Sequence, residues 1–428
     1  MNSDKDSIKK EINKLIDSYF KQDGEKFIPG KSKVPLMVPQ YGSEEVKEAV
    51  ESLLSTYVTM GEKVKQFEKM FAEYMQVKHA VMVNSGSSAA LLALHSLSSL
   101  YHKNGIEKGD EIITSPLTWS TTVSSIVNFG AVPVFVDVDI NSYNIDPGKI
   151  EDAITEKTKA IMPVHLLGNP CDMHEIRKIA DDNNLFVIED TCESYGAELS
   201  GKKAGSFGHA AITSFFFSHH ITTIEGGMIL ANEQEHADIL RSLRAHGWIR
   251  EMSSKDSILK QHPGLDPRFF FYTSGFNVRP TDIQGAFGLH QLPKLEKFIE
   301  IRRNNARYLN DGLHRYDDYL ILPEERKDTR HVYFCYALTV KKNATFTKNE
   351  LISYLESRNI ETRPIETGNI LNHPVSKIYN YKANEELRNA DYIHNNSFFI
   401  GNHHGFTDNH LNFIVESIGS FIKSKGGK

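Results

Sequence analysis

Between about residue 80 and residue 232, seven short apolar runs (AVMVN, DEIITS, AVPVFVDVD, KAIMPVH, LFVIED, AAITSFFF and GGMILAN) alternate with stretches of helical spacing. Runs this continuous suit strands covered on both faces, because a strand with one wet face would alternate polar and apolar residues. Strands that alternate with helices are joined by crossovers, which calls for an α/β domain with a mainly parallel sheet between two helical layers. Ligands on that architecture gather at the carboxyl ends of the strands.

Past the helical segment DIQGAFGLHQLPKLEKFIEIRRNNARYLNDGL the strands thin out and the helices become more polar. We therefore expect a large domain over residues 38–300 and a smaller α+β domain over residues 301–428. Residues 1–37 read as an N-terminal arm. Within it Ile8, Ile12, Leu15, Ile16, Tyr19 and Phe20 recur at helical spacing, an amphipathic helix expected to dock on its own body or on a partner subunit.

A chain of 428 residues has room for this organisation. A net charge of -6 with 19 histidines does not supply the basic surface that non-specific nucleic-acid binding requires. The start MNSDKDSIKKEINKL has no signal-peptide character, and no apolar run reaches the roughly 18 residues of a membrane span. A cytoplasmic protein acting on small molecules, without a nucleic-acid or membrane partner, is the expectation. Cys171, Cys192 and Cys335 are odd in number and widely spaced, which suits reduced thiols.

Three segments carry chemistry. In AVMVNSGSSAALLALHSL a strand ends at Asn84, a turn of Ser85, Gly86, Ser87 and Ser88 follows, and a helix begins at once; free amides and the helix dipole there suit a phosphate, although such turns also serve capping alone. In LFVIEDTCES, Asp190 ends an apolar strand, where a carboxylate either caps the next element or reaches into a cleft to hold a protonated pyridine nitrogen. In AAITSFFFSHHITTIEGGMIL, Ser214 and two adjacent histidines lie just beyond a strand. Adjacent side chains diverge and no third ligand is near, so we expect no metal site.

Taken with TMGEKVKQFEKMFAEY, SPLTWSTTV, PVFVDVD, PVHLLGNPCDM and SGFNVRPTDIQGAFGLHQL, these segments resemble the DegT/DnrJ/EryC1/StrS family of nucleotide-sugar aminotransferases from about residue 38 to 420. The resemblance implies the aspartate-aminotransferase fold (fold type I), a homodimer, and pyridoxal 5'-phosphate or pyridoxamine 5'-phosphate as cofactor. It implies that Gly86, Ser87 and Ser214 hold the phosphate, Trp119 stacks on the ring, Asp190 pairs with the ring nitrogen, Glu193 lies near the ring hydroxyl, and Asn277 reaches the phosphate of the other subunit. The family's Schiff-base lysine falls on His219, and no lysine occurs between Lys203 and Lys255 to replace it. The chain therefore resembles the family's dehydratase branch. Glu193 stands where the aminotransferases commonly have Gln, and Phe216 where some dehydratases have Tyr.

Imidazole forms no stable covalent link to the cofactor, so the resemblance implies non-covalent pyridoxamine phosphate with His219 as general base. The expected reaction is 3-dehydration of a nucleotide-linked 4-keto-6-deoxyhexose in 3,6-dideoxysugar (O-antigen or lipopolysaccharide) biosynthesis, with glutamate as amino donor. Three scattered cysteines do not supply the four thiolates of a [2Fe-2S] cluster, whereas the arm and the length look more like the CDP-sugar branch that carries one. CDP, GDP and dTDP sugars thus stay open, as do a family aminotransferase with an unusual base and a non-enzymatic cofactor-binding regulator.

Overall fold

The computed structural model describes residues 2–21, 26–38, 41–383 and 385–427. The expected boundary between arm and large domain abuts residues 39 and 40, which lie outside the described residues.

All seven apolar runs form strands: β1 (His79–Val83), β2 (Glu111–Thr114), β3 (Val132–Phe135), β4 (Thr158–Met162), β5 (Phe186–Asp190), β6 (Ala210–Ser214) and β7 (Gly227–Ala231). They lie in the order β1-β7-β6-β5-β4-β2-β3. β7 is antiparallel to both neighbours, and the others are parallel. Helices α1 (Asn2–Phe20), α2 (Ser43–Ser55), α3 (Glu62–Met75), α4 (Gly86–Ser96), α5 (Ser120–Phe129), α6 (Met173–Asp182) and α7 (Gln234–Arg244) belong to the same half of the chain.

The two-residue period of the strands sorts the core. Val81, Val83, Ile212 and Ile229 pack with Ala90, Leu94 and Leu240 of α4 and α7, while Ala80, Met82, Ala211 and Met228 turn to the other face against Phe67 and Phe71 of α3. Both faces are dry, which is why the runs lack polar alternation.

Helix α8 (Asp282–Gln291) leads into α9 (Leu295–Leu313). α9 serves two cores: Leu295, Phe298 and Ile299 join the large-domain cluster, whereas Ala306, Leu309 and Leu313 join the C-terminal one. The division expected at residue 300 thus falls inside a helix that ties the two bodies together. Beyond it lies an antiparallel sheet of β8 (Leu320–Ile321), β9 (Tyr336–Val340), β10 (Thr362–Pro364) and a last strand, Ser397–Ile400, covered by the C-terminal helix Asp408–Ser424. Between them, β11 (Lys382–Ala383) pairs in parallel with β3 and extends the large sheet.

α1 sits against α2, with Lys9 paired to Glu51 and Lys47 to Asp17. Its apolar stripe stays open, with Ile8, Leu15 and Tyr19 exposed. Among the described residues no helix is long and apolar enough to cross a membrane.

Candidate active site

The carboxyl ends of β5 and β6, the start of α4 and the loop after β2 converge on a cavity of about 320 Å³. Seven of the eight expected residues line it: Gly86, Ser87, Trp119, Asp190, Glu193, Ser214 and His219. No lysine does, among the described residues.

Each side chain is placed by the end of a regular element. Ser85 caps α4 by accepting from the Ser88 amide, which leaves the Gly86 and Ser87 amides at the helix start for a ligand. The approach of that helix to β6 is tight: a Cβ at Gly86 would lie 2.6 Å from Ser214 Cβ, and one at Gly227 would lie 2.3 Å from the Ser85 carbonyl oxygen. These contacts explain why both positions need glycine. Trp119 is the N-cap residue of α5 and is half exposed over the cavity. Three residues later Thr122 donates its hydroxyl to Asp190 Oδ2 at 2.8 Å, and the Cys192 amide donates to Oδ1 at 3.1 Å. Two donors fix the orientation of that carboxyl group at the strand end.

β6 stops at Ser214, so Phe216 and Phe217 leave the sheet and are exposed, contrary to a strand running through AAITSFFF. The loop then delivers two histidines, both near the Phe334 ring, of which only His219 lines the cavity. His220 is fully buried, its ring bonded through Nε2 to the Val332 carbonyl oxygen at 3.3 Å and lying near Tyr195. His219 lines the cavity, and its buried Nδ1 has no partner. Burial, and then the Arg302 cation, lower its pKa to about 4, so the imidazole is neutral and able to accept a proton at neutral pH.

Arg302 is itself buried and donates Nη1 to the Phe334 carbonyl oxygen at 2.7 Å; the Phe334 ring lies 5.6 Å from that of His219.

Asn277 lies elsewhere, in a separate cavity of about 470 Å³ with Trp248, Arg250 and Arg279. Residues absent from the sequence-based expectation also line the main cavity. Thr122 is one. Phe334, Arg363 and Glu366 come from the C-terminal body, with the Arg363 guanidinium 5.7 Å from the Trp119 ring.

Residues 39–419 match the model of the DegT/DnrJ/EryC1/StrS aminotransferase family. The chain belongs to this family. It is 42% identical over 369 residues to the GDP-4-keto-6-deoxy-D-mannose 3-dehydratase of Yersinia pseudotuberculosis, covering 85% of this chain and 93% of that one. It is 35% identical over 432 residues to the lipopolysaccharide biosynthesis protein RfbH of Salmonella typhimurium strain LT2, covering 97% and 98%. The crystal structure of a GDP-4-keto-6-deoxymannose-3-dehydratase with a trapped PLP-glutamate geminal diamine superposes with a TM-score of 0.83 at 38% identity, covering 90% of this chain and 99% of that one. The DegT/DnrJ/EryC1/StrS fold is thus the fold of this chain, and the mainly parallel sheet is its fold type I core.

A phosphorylated pyridoxal-type cofactor fits these walls on geometry. The glycine cradle and open amides at α4 suit its phosphate, the exposed Trp119 ring suits its face, Asp190 suits a protonated ring nitrogen, and His219, with an orphan Nδ1, lines the same cavity.

Proposed function

We propose that this chain is a nucleotide-4-keto-6-deoxyhexose 3-dehydratase of deoxysugar biosynthesis that holds pyridoxamine phosphate without a covalent bond. The observation that carries the reading is the cavity's composition: no lysine among the described residues, and a neutral histidine with a free ring nitrogen in its place. The bound cofactor supplies an amine nucleophile and an electron sink. Gly86, Ser87 and Ser214 bind its phosphate, Trp119 covers one face, Asp190 keeps the ring nitrogen protonated, and Glu193 stands by the ring hydroxyl. With the cofactor bound, His219 would take up the proton lost from the carbon that bears the cofactor's amine and could return it to the C3 hydroxyl, which departs as water.

A GDP-linked sugar is the first candidate, because the Yersinia relative at 42% identity carries that name. Glutamate as amino donor is supported by the glutamate adduct trapped in the structural relative. The three free cysteines, two buried and one partly so, do not offer the four thiolates of a cluster, so the cycle runs on glutamate and not on a reductase. We assign the active form to a cytoplasmic homodimer. Asn277 then serves the partner's phosphate, and the exposed Ile8, Leu15, Tyr19, Leu53, Leu54 and Tyr57 on and beside α1 and α2 become candidates for the interface.

The test incubates purified protein with pyridoxamine phosphate, glutamate and a panel of GDP-, CDP- and dTDP-4-keto-6-deoxy sugars. Loss of water from one sugar, with 2-oxoglutarate and ammonium formed alongside, supports the reading. An aminated sugar, or turnover only with NADH and a reductase, overturns it.

A further inference from the structure

Four acidic side chains line the cavity, Asp190, Glu193, Glu225 and Glu366, against a single guanidinium, that of Arg363. No lysine and no second arginine joins it among the described residues. Other arginines nearby in the chain are already held: Arg303 by Glu325, Arg330 by Glu296 and Glu300, and the buried Arg302 by the Phe334 carbonyl oxygen. The Arg363 guanidinium makes no hydrogen bond or ion pair among the described residues. It lies over the Trp119 ring, 5.7 Å from the ring centroid. A guanidinium carries five N-H donors in a fixed fork that matches a carboxylate, and resting on an aromatic face uses none of them.

The backbone holds this cation beside the cofactor's place. Arg363 is the middle residue of β10 and pairs with Phe399 of the last strand. The turn that follows is fastened to the loop before α5: Thr367 Oγ1 donates to the Thr118 carbonyl oxygen at 2.8 Å, the Ile370 amide donates to the Pro116 carbonyl oxygen at 3.1 Å, and Asn369 bridges Leu117. That loop carries Trp119, so the cation and the ring assigned to the cofactor's face are tied together. The cofactor's phosphate has its own donors, the Gly86 and Ser87 amides at the start of α4. The fork of Arg363 is left for another anion.

The two substrates of the proposed reaction differ in charge at the atoms that react. A 4-keto-6-deoxyhexose carries no charge on the carbons that change. An amino-acid donor carries a carboxylate on the very carbon that gives up its nitrogen, and glutamate adds a second. Acids on the cavity wall and the cofactor's phosphate oppose the entry of such a dianion unless a cation meets it. We propose that Arg363 is the specificity-determining residue for the amino donor: its open fork binds a donor carboxylate, and it rests on the Trp119 ring when the sugar takes the donor's place. A guanidinium locked in an ion pair would have to break that pair in every cycle; this one is free to alternate. The inference rests on the function proposed above for its two substrates, but the binding of a dicarboxylate by Arg363 does not depend on that reading.

Two measurements test it. In the first, glutarate, a dicarboxylate with no amine to give, is titrated calorimetrically into the protein with pyridoxal phosphate added. Arg363→Gln should weaken its binding by about tenfold or more, and Arg363→Lys, which keeps the charge but loses the fork, should recover part of that loss. Equal affinity in the unsubstituted protein and Arg363→Gln, no binding by either, or a lysine variant no better than the glutamine one overturns the assignment. The second measurement compares two half-saturating concentrations: that of glutamate for converting the pyridoxal form to the pyridoxamine form, followed by absorbance, and that of the sugar for water loss in a single turnover of protein preloaded with pyridoxamine phosphate. Arg363→Gln should raise the first about tenfold more than the second. A rise in the second as large as in the first would assign the guanidinium to the diphosphate of the nucleotide sugar and overturn the donor role. Failure of the unsubstituted, preloaded protein to release water from any sugar would instead overturn the proposed function, with the glutarate titration still deciding Arg363.

Discussion

The cavity has two walls built on different principles. On the large-domain side Gly86 and Ser87 begin α4, Trp119 caps α5, Asp190 ends β5 and Ser214 ends β6, so each group inherits its position from an element packed into the core. On the other side Phe334, Arg363 and Glu366 sit on or beside short strands and turns, and the Glu366 turn is held against the Trp119 loop by hydrogen bonds. The first wall is as rigid as the sheet. The second depends on local contacts that single substitutions can remove.

The strongest way to break this comparison is at the loop after β6, where one histidine lines the cavity and its neighbour is buried beside it. Replacing His219 with Asn should lower dehydration by about 10² to 10⁴ while bound pyridoxamine phosphate, measured by absorbance after gel filtration, is retained. His220→Asn should act on stability, through the lost link to Val332. Full turnover in His219→Asn would remove the base from its role and leave the wall without chemistry.

Acid stability compares the two regions next. His236, in the large domain, has its pKa lowered to about 4; His331 and His403, in the C-terminal chain, are lowered to about 3. Burial is the first cause in each case, joined by His102, Arg303 and Arg302 respectively. With folded pKa values below the unfolded 6.5, the unfolded chain binds more protons, so stability is complete above about pH 6.5 and falls as pH drops toward 4 and then 3. The total loss should be on the order of several kcal/mol, read from urea midpoints between pH 7 and pH 4. A flat profile over that range would mean that these rings are not held neutral.

Most of the first wall could be read from the amino-acid order, and the reason is physical. Glycines at tight approaches, a capping serine and acids at strand ends are set by local backbone demands, so Gly86, Asp190 and Ser214 announce themselves within a few residues of a strand. Thr122 carried a weaker signal, one helical turn beyond Trp119. Arg363 and Glu366 carried none: they reach the cavity because α9 docks the C-terminal body, a long-range consequence of packing Leu295 and Leu313 into different cores. For the same reason the boundary near residue 300 looked like a change of composition, where the chain has a continuous helix.

Gly86→Ala probes the rigid wall. Its Cβ would press on Ser214 Cβ at 2.6 Å, and neither backbone can retreat from the sheet, so the strain should be about 1 to 3 kcal/mol. That strain should appear as cofactor affinity weakened by about tenfold or more. An alanine that leaves affinity unchanged would show that the helix start gives way, contrary to the rigidity assigned to it.

The smallest effect is expected on the fastened wall, from Thr367→Val. The side chain keeps its shape but loses the hydroxyl that donates to the Thr118 carbonyl oxygen, a bond whose net contribution is about 1 kcal/mol. Because Ile370 and Asn369 still tie the turn to residues 116 and 117, Glu366 should stay in the wall of the cavity. Affinity for pyridoxamine phosphate should therefore change by less than about twofold, while the urea midpoint falls slightly. If Thr367→Val weakened cofactor affinity as far as Gly86→Ala, one hydrogen bond would be holding the turn in place, and this wall would be a single-point latch. If it moved neither quantity, the turn would be rigid in its own right and the distinction between the walls would fail.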